Sequence, residues 1–281
     1  MSGKQVTIAR HTFFYKTFFI KHKEFLEELT KITYTTLNDG YNKLNVFYGS
    51  YSYYLKEHDK DNHLKDMIKE NRIEYIADSE YEQIRLKLKV GGLGVLDYDE
   101  LYKLNLDFHS YLKSILEIFE IFCYRFAPSD IFPKITATAT EYDLKLLFVV
   151  YDSFYESLFN LHAKIHTKLL NFNVLEFPEM FKLLMVFFYG YSYYLQKDTI
   201  KIIKDKLSEL YDYYNNKEFQ EVYFNLVQGK ISQDGLDILQ KYKDKMFESC
   251  MDVFELINGD LPKSNLFPKR AEKVTIDMTL I

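Results

Sequence analysis

The sequence predicts an all-α protein: a tandem duplication of one helical module, each copy a four- to five-helix bundle, with short extended or β segments at the module ends. Three observations predict it. Apolar residues recur at helical spacing over long stretches. Four blocks of sequence occur twice in the same order. Gly, Pro and Asx clusters break the chain at corresponding places.

The repeated blocks are collinear. Phe14-Tyr-Lys-Thr-Phe-Phe19 matches Phe154-Tyr-Glu-Ser-Leu-Phe159, and Val46-Phe-Tyr-Gly-Ser-Tyr-Ser-Tyr-Tyr-Leu55 matches Val186-Phe-Phe-Tyr-Gly-Tyr-Ser-Tyr-Tyr-Leu195. Ser114-Ile-Leu-Glu-Ile-Phe-Glu120 matches Ser249-Cys-Met-Asp-Val-Phe-Glu255, and Ser129-Asp-Ile-Phe-Pro-Lys134 matches Ser264-Asn-Leu-Phe-Pro-Lys269. The first two pairs lie 140 residues apart and the last two 135, so five residues were deleted in between. A biased composition imitates one tyrosine-rich match; it does not imitate four in register.

The first helix of copy one carries Phe14, Phe18, Phe25, Leu29 and Ile32 on one face, and copy two repeats the pattern at Phe154, Leu158, Ile165, Leu169 and Phe172. Asn38-Asp39-Gly40 and Pro178 are read as breaks before the second helices. Those helices step 3,4,3,4 through Tyr41, Leu44, Tyr48, Tyr51 and Leu55, and through Phe181, Leu184, Phe188, Tyr191 and Leu195. A shorter helical stretch covers about 61–89 and again about 200–227. The last helix of copy one steps through Leu101, Leu104, Phe108, Tyr111, Ile115, Ile118 and Phe122. Its twin steps through Leu236, Leu239, Lys243, Met246, Cys250, Val253 and Ile257, with Lys243 the polar exception. Asp97 with Glu100 forms a capping box, and Ser232 is the equivalent cap. These helices end before Pro128 and near Asn258-Gly259.

Thr and β-branched residues in 134–140 and 273–281 favour extended backbone, and Gln5-Val-Thr-Ile-Ala9 resembles them while also suiting a helix start. The expected organisation is copy one over 1–134, a linker or arm over 135–150 merging into the next helix, copy two over 151–269, and a C-terminal arm over 270–281.

At 281 residues, 47% hydrophobic and 27% charged, the chain folds rather than remaining disordered. Its 25 Tyr and 24 Phe, with no Trp, suggest an A+T-rich genome. A net charge of −5 makes nucleic acid an improbable partner; only 263–273 is locally basic. Cys123 and Cys250 occupy non-matching positions and read as reduced, buried thiols. The longest apolar run, about Leu183 to Tyr189, is far short of the ~20 residues of a membrane span, and the N-terminus lacks a signal-peptide core. The expectation is a soluble cytoplasmic protein, or a virion protein if the source is viral.

The tyrosine block Tyr51, Tyr53, Tyr54 and its twin Tyr191, Tyr193, Tyr194 are candidate contact surface, against the ordinary reading of helix packing. His22 and His162 occupy equivalent places. His162 and His166 at i, i+4 make a weak metal pair, which copy one lacks because Leu26 replaces the second histidine. Glu57-His58-Asp59 with His63 lies among charges and reads as a solvated loop. Val90-Gly-Gly-Leu-Gly94 lacks the Lys-Ser/Thr of a phosphate loop and reads as a flexible connector. Phe132, Pro133, Lys134 and Phe267, Pro268, Lys269 read as plugs over the bundle end, or as docking elements for a neighbouring subunit.

No catalytic motif, resident metal site or cofactor is expected. Together these features favour a non-catalytic structural or interaction protein, self-assembling or binding a protein partner, over an enzyme. A helical-bundle enzyme or small-ligand protein with a Tyr/His-lined pocket is the alternative.

Overall fold

The computed structural model describes residues 3–52, 63–126 and 141–260. Among these residues the fold is all-α, and no strand is present. Ten helices follow one another: α1 (Gly3–Lys31), α2 (Leu37–Tyr51), α3 (His63–Ala77), α4 (Ser79–Gly91), α5 (Tyr98–Phe126), α6 (Glu141–Leu170), α7 (Phe177–Tyr191), α8 (Lys197–Tyr214), α9 (Lys217–Val227) and α10 (Gln233–Asp260). Short 3-10 turns precede α5 and α7 and follow α7.

The predicted stripes are largely the buried faces. Phe18, Phe25 and Leu29 of α1, Ile32 just beyond its end, and Leu158, Ile165 and Leu169 of α6 are all buried. The capping box forms as expected: Glu100 N–H donates to Asp97 Oδ1 at 2.9 Å, and Asp97 N–H donates to Glu100 Oε2 at 3.2 Å. Gly235 N–H donates to Ser232 Oγ at 3.2 Å, capping α10. No helix of the described residues is long and apolar enough to cross a membrane. Cys123 and Cys250 are free and buried.

Of the two readings of Gln5–Ala9 the helical one holds, since the segment lies inside α1. Several expectations need correction. Asn38-Asp39-Gly40 does not break the chain but forms the first turn of α2, where Gly40 lets the helix close on its neighbours. A β-carbon there would lie 2.7 Å from Ile32 Cδ1 and 2.9 Å from Ile115 Cδ1. The stretch at 61–89 is two helices, split at Asp78, whose carboxylate accepts from Tyr81 N–H at 2.9 Å. Its counterpart at 200–227 is likewise two helices, split at Asn215–Asn216. In α10, Lys243 leaves the stripe because Tyr242 takes the buried place, and Leu236 is exposed. The glycine-rich segment is an ordered cap: Gly92 has φ +73° and ψ −173°, a region only glycine enters freely, and its N–H donates to Leu88 O at 2.8 Å.

The helices of each half share part of their packing: the first helix packs on the second, and the last receives the second, third and fourth. They differ in that α2 also packs on α3, whereas α10 also packs on α6 and α8 on α9. Between halves, α1 runs along α6, and α7 packs against both α1 and α5. One continuous apolar core results, shared by both halves. The second helices sit differently within it. Only one face of α2 is buried, whereas α7 is buried all round from Met180 to Tyr191. This matches their sequences: α2 carries Asn42, Lys43 and Asn45 where α7 carries Lys182, Leu183 and Met185. Lys182, the one charged residue inside that run, donates to Ile32 O at 3.2 Å and pairs with Glu179 at 2.6 Å.

At Gly190 of α7 the halves approach closely. A β-carbon there would lie 2.8 and 2.9 Å from the two Leu26 methyls of α1. Gly190→Ala is expected to destabilise the protein by about 1–3 kcal/mol through overpacking, reversing the gain alanine normally gives a helix interior. Urea denaturation checks this, and a Leu26→Ala background should remove most of the penalty.

Candidate functional site

The sequence-predicted residues fall in three kinds of place. Tyr53, Tyr54, Glu57-His58-Asp59, the two Phe-Pro-Lys motifs (Phe132, Pro133, Lys134; Phe267, Pro268, Lys269), the arm over 135–140 and the C-terminal arm over 270–281 lie outside the described residues, whereas 141–150 of the expected linker is already helical, inside α6. Tyr51, Tyr191, Tyr193 and Tyr194 are buried in the core. Tyr51 meets Phe18 edge-on at 5.2 Å, and Tyr191 donates to Ser157 Oγ at 3.3 Å. Rings this deep offer no face to a partner in this conformation.

His22 is fully buried on α1, within 5.3 to 6.3 Å of the rings of Phe18, Phe119, Tyr191 and Tyr193. Tyr193 Oη lies 3.4 Å from its Nε2, joining α1 to the turn after α7. Burial pushes its pKa down to about 4, against a smaller opposing effect of a backbone hydrogen bond with Gly190. His162 is half-buried and His166 exposed, on the outer part of α6. Their rings stack 6.3 Å apart, and both lie against Phe254 of α10. Among the described residues, no group of three or more His, Cys, Asp or Glu side chains is placed to hold a metal ion. Two imidazoles alone fall short of the three protein ligands that a zinc site normally needs.

Two of the clefts and one apolar corner stand out among the described residues. The larger cleft, about 790 Å³, runs between α1 and α6 towards the start of α7. Glu27, Lys31, Lys164, Lys168, Glu176 and Glu179 line it, so its charges are mixed. Lys23 spans α1 to α6 with a 2.7 Å bridge to Glu156, and Lys168 bridges to Glu176 at 2.7 Å.

The smaller cleft, about 210 Å³, lies between α5, α7 and α8 and is walled at one end by His109. The sequence reading passed over His109, although a signal for it exists. Beside the predicted stripe, α5 carries a second row with steps of 4,3,4,3,4: Asn105, His109, Leu112, Leu116, Phe119 and Cys123, all buried. A helix buried along two rows is central, and a histidine within such a row must lie inside the protein. Desolvation pushes the His109 pKa down to about 3, with a further lowering by the Lys182 charge.

No protein family model, no curated protein and no solved structure matches this chain.

The apolar corner closes α4. Leu86 and Val90, one turn apart, and Leu93 and Val95 of the following 3-10 turn are all exposed, Val90 at 90%. Gly92 reverses the chain there, folding Val95 back over Gly91, where a β-carbon would lie 2.5 Å from Val95 Cγ1. A Lys87–Glu100 bridge of 2.5 Å ties the end of α4 to α5. Single exposed apolar residues are ordinary, but four within ten residues of a tightly capped corner are a concentrated patch.

Proposed function

We propose that this chain is a non-catalytic structural or protein–protein interaction protein, formed by duplication of a helical module and assembling with copies of itself. The observation that carries it is the corner of Leu86, Val90, Leu93 and Val95: a rigid, capped projection whose apolar side chains face solvent. Fixing these side chains in one shape lowers the entropy lost on docking. The corner is smaller than the ~800 Å² per partner of a standard interface, so it acts as an anchor within a larger contact.

Support for the duplication comes from the helix lengths. They run 29, 15, 15, 13 and 29 residues over α1–α5, and 30, 15, 18, 11 and 28 over α6–α10. The packing that the two halves share supports it as well. The copies have diverged in their surroundings, as α2 and α7 show. In its narrowest form the proposal makes the chain a virion or assembly subunit, a refinement that rests on the A+T-rich composition.

Sedimentation across a concentration series tests the proposal. The wild type is expected to associate, and Val90→Lys with Leu93→Lys is expected to leave a monomer with unchanged Tm. A wild type that stays monomeric up to the millimolar range would overturn it.

A further inference from the structure

We propose that the pocket between α5, α7 and α8 binds a small neutral aromatic molecule bearing one N–H or O–H donor, which His109 receives. This goes beyond the assembly proposal and does not depend on it.

The pocket is a short trough walled by three helical rows. His109, Lys113 and Glu117 follow one another at i, i+4, i+8 on α5, and Phe181, Met185 and Tyr189 do the same on α7. Lys204, Leu207 and Tyr211 complete it from α8. Its ends are fixed by contacts. At one end the His109 and Phe181 rings are 5.4 Å apart, with Tyr211 6.4 Å from Phe181. At the other, Tyr189 Oη donates to Glu117 at 3.4 Å, and Lys204 Nζ lies 5.7 Å from the Tyr189 ring. Phe181, Met185, Tyr189 and Leu207 are buried and make an apolar floor, while Ser110, Lys113, Lys204 and Ser208 are exposed and make a polar rim.

The second, independent observation lies in the wall of the trough. His109 is buried there, and both of its ring nitrogens, Nδ1 and Nε2, lack a hydrogen-bond partner among the described residues. Asn105, one turn before it on α5 and outside the trough lining, accepts from Tyr34 Oη at 2.7 Å and so is turned to a different partner. Buried polar groups are almost always satisfied, so an unpartnered imidazole in the wall of one trough points to a polar atom that enters it.

Charge selects a neutral guest. Each rim lysine already has a carboxylate: Lys113 is 3.8 Å from Glu117, and Lys204 is 3.1 Å from Glu120. No free positive charge is left to favour an anion, and Lys182 beside His109 disfavours a cation. A neutral imidazole presents one acceptor nitrogen, which suits an N–H or O–H donor. Size selects a small ring. Apolar cavities of about 150 Å³ take up benzene, so a trough of about 210 Å³ holds a substituted or fused aromatic ring. Phe181, Tyr189 and Met185 supply the aromatic and sulfur contacts for its faces.

The absence of Trp makes the test clean, because indole emission excited beyond tyrosine absorption reports the probe alone. Indole titrated with the full chain is expected to give a saturable blue shift with one site per chain. 1-Methylindole, which cannot donate, is expected to bind at least tenfold more weakly, and this gap should close in His109→Phe. Ser208→Phe, at an exposed rim position, is expected to weaken both probes at least tenfold. Lack of saturation would overturn the proposal, as would equal binding of the two probes by the wild type or full binding by Ser208→Phe. A crystal grown with indole that shows only ordered water on His109 would also overturn it. If His109→Phe does not fold, the two-probe comparison and Ser208→Phe still decide. Self-association is read by sedimentation, so failure of one proposal is distinguishable from failure of the other.

Discussion

Lowering the pH from 7 to 4 is expected to cost the protein on the order of 3 kcal/mol of stability through each of the two fully buried histidines among the described residues, His22 and His109. In the unfolded chain both imidazoles titrate near 6.5. In the folded chain they stay neutral down to about 4 and about 3 respectively, because burial penalises the imidazolium. Across that interval the unfolded state binds two protons that the folded state does not, so stability falls as pH falls. The loss begins near pH 6.5 and levels off only below the folded pKa values. Asp107 acts in the opposite direction. Desolvation raises its pKa, so its protonation relieves a penalty and offsets part of the loss. Urea denaturation at pH 7, 5.5 and 4 checks the slope. His109→Phe should remove about half of it, and equal slopes in variant and wild type would contradict the assignment.

The second large effect is expected at Phe119. Its ring is fully buried where rings of α1 and α2 meet α5. It stacks on Phe25 at 4.3 Å, meets Phe47 edge-on at 5.2 Å and lies 5.3 Å from His22. Phe119→Ala removes all three ring contacts and leaves a cavity walled by residues of three helices, which limits collapse. The expected loss is about 3–5 kcal/mol, read as a lower urea midpoint with unchanged slope. Phe119→Leu, which refills much of the space, should cost well under half as much. A small effect for the alanine variant would mean that the three helices close the gap together.

Much of the fold was legible because it is encoded locally. The 3,4 spacing of Leu101, Leu104 and Phe108 marks one buried face, and the Asp97–Glu100 capping box forms with the expected partners. The errors arose where an interaction distant in sequence overrode a local signal. Asn-Asp-Gly at 38–40 looks like a turn, yet it opens a helix because Ile32 and Ile115 occupy the space beside Gly40. Lys243 looked like a flaw in a stripe, and Tyr242 fills the place with its hydroxyl on Glu218 at 3.1 Å. For the tyrosines at 191, 193 and 194 the sequence leaves contact surface and helix packing as alternatives, and packing is what forms. Packing of α7 against α1 and α5 puts them inside.

The candidate sites were less legible for the same reason. His109 was visible only as part of a second row on α5, and its meaning depends on Phe181, Lys182 and Tyr214, all more than 70 residues away. Val90–Gly94, the heart of the apolar corner, reads in sequence as a flexible connector, since sequence does not reveal that Gly92 sets a fixed turn there.

The sequence by itself determined that the described residues are helical, where α5 and α10 begin, and which stripes α1, α2, α5, α6 and α7 bury. Those properties depend on hydrogen bonds and side-chain spacing within a few turns of one helix. Only the tertiary structure decided that α7 becomes the central helix while α2 keeps one face outward. It also decided that α1 pairs with α6, and that His22 and His109 lose their water. Those outcomes depend on which apolar faces meet across the whole chain, and the energy of that choice resides in contacts between residues far apart in sequence.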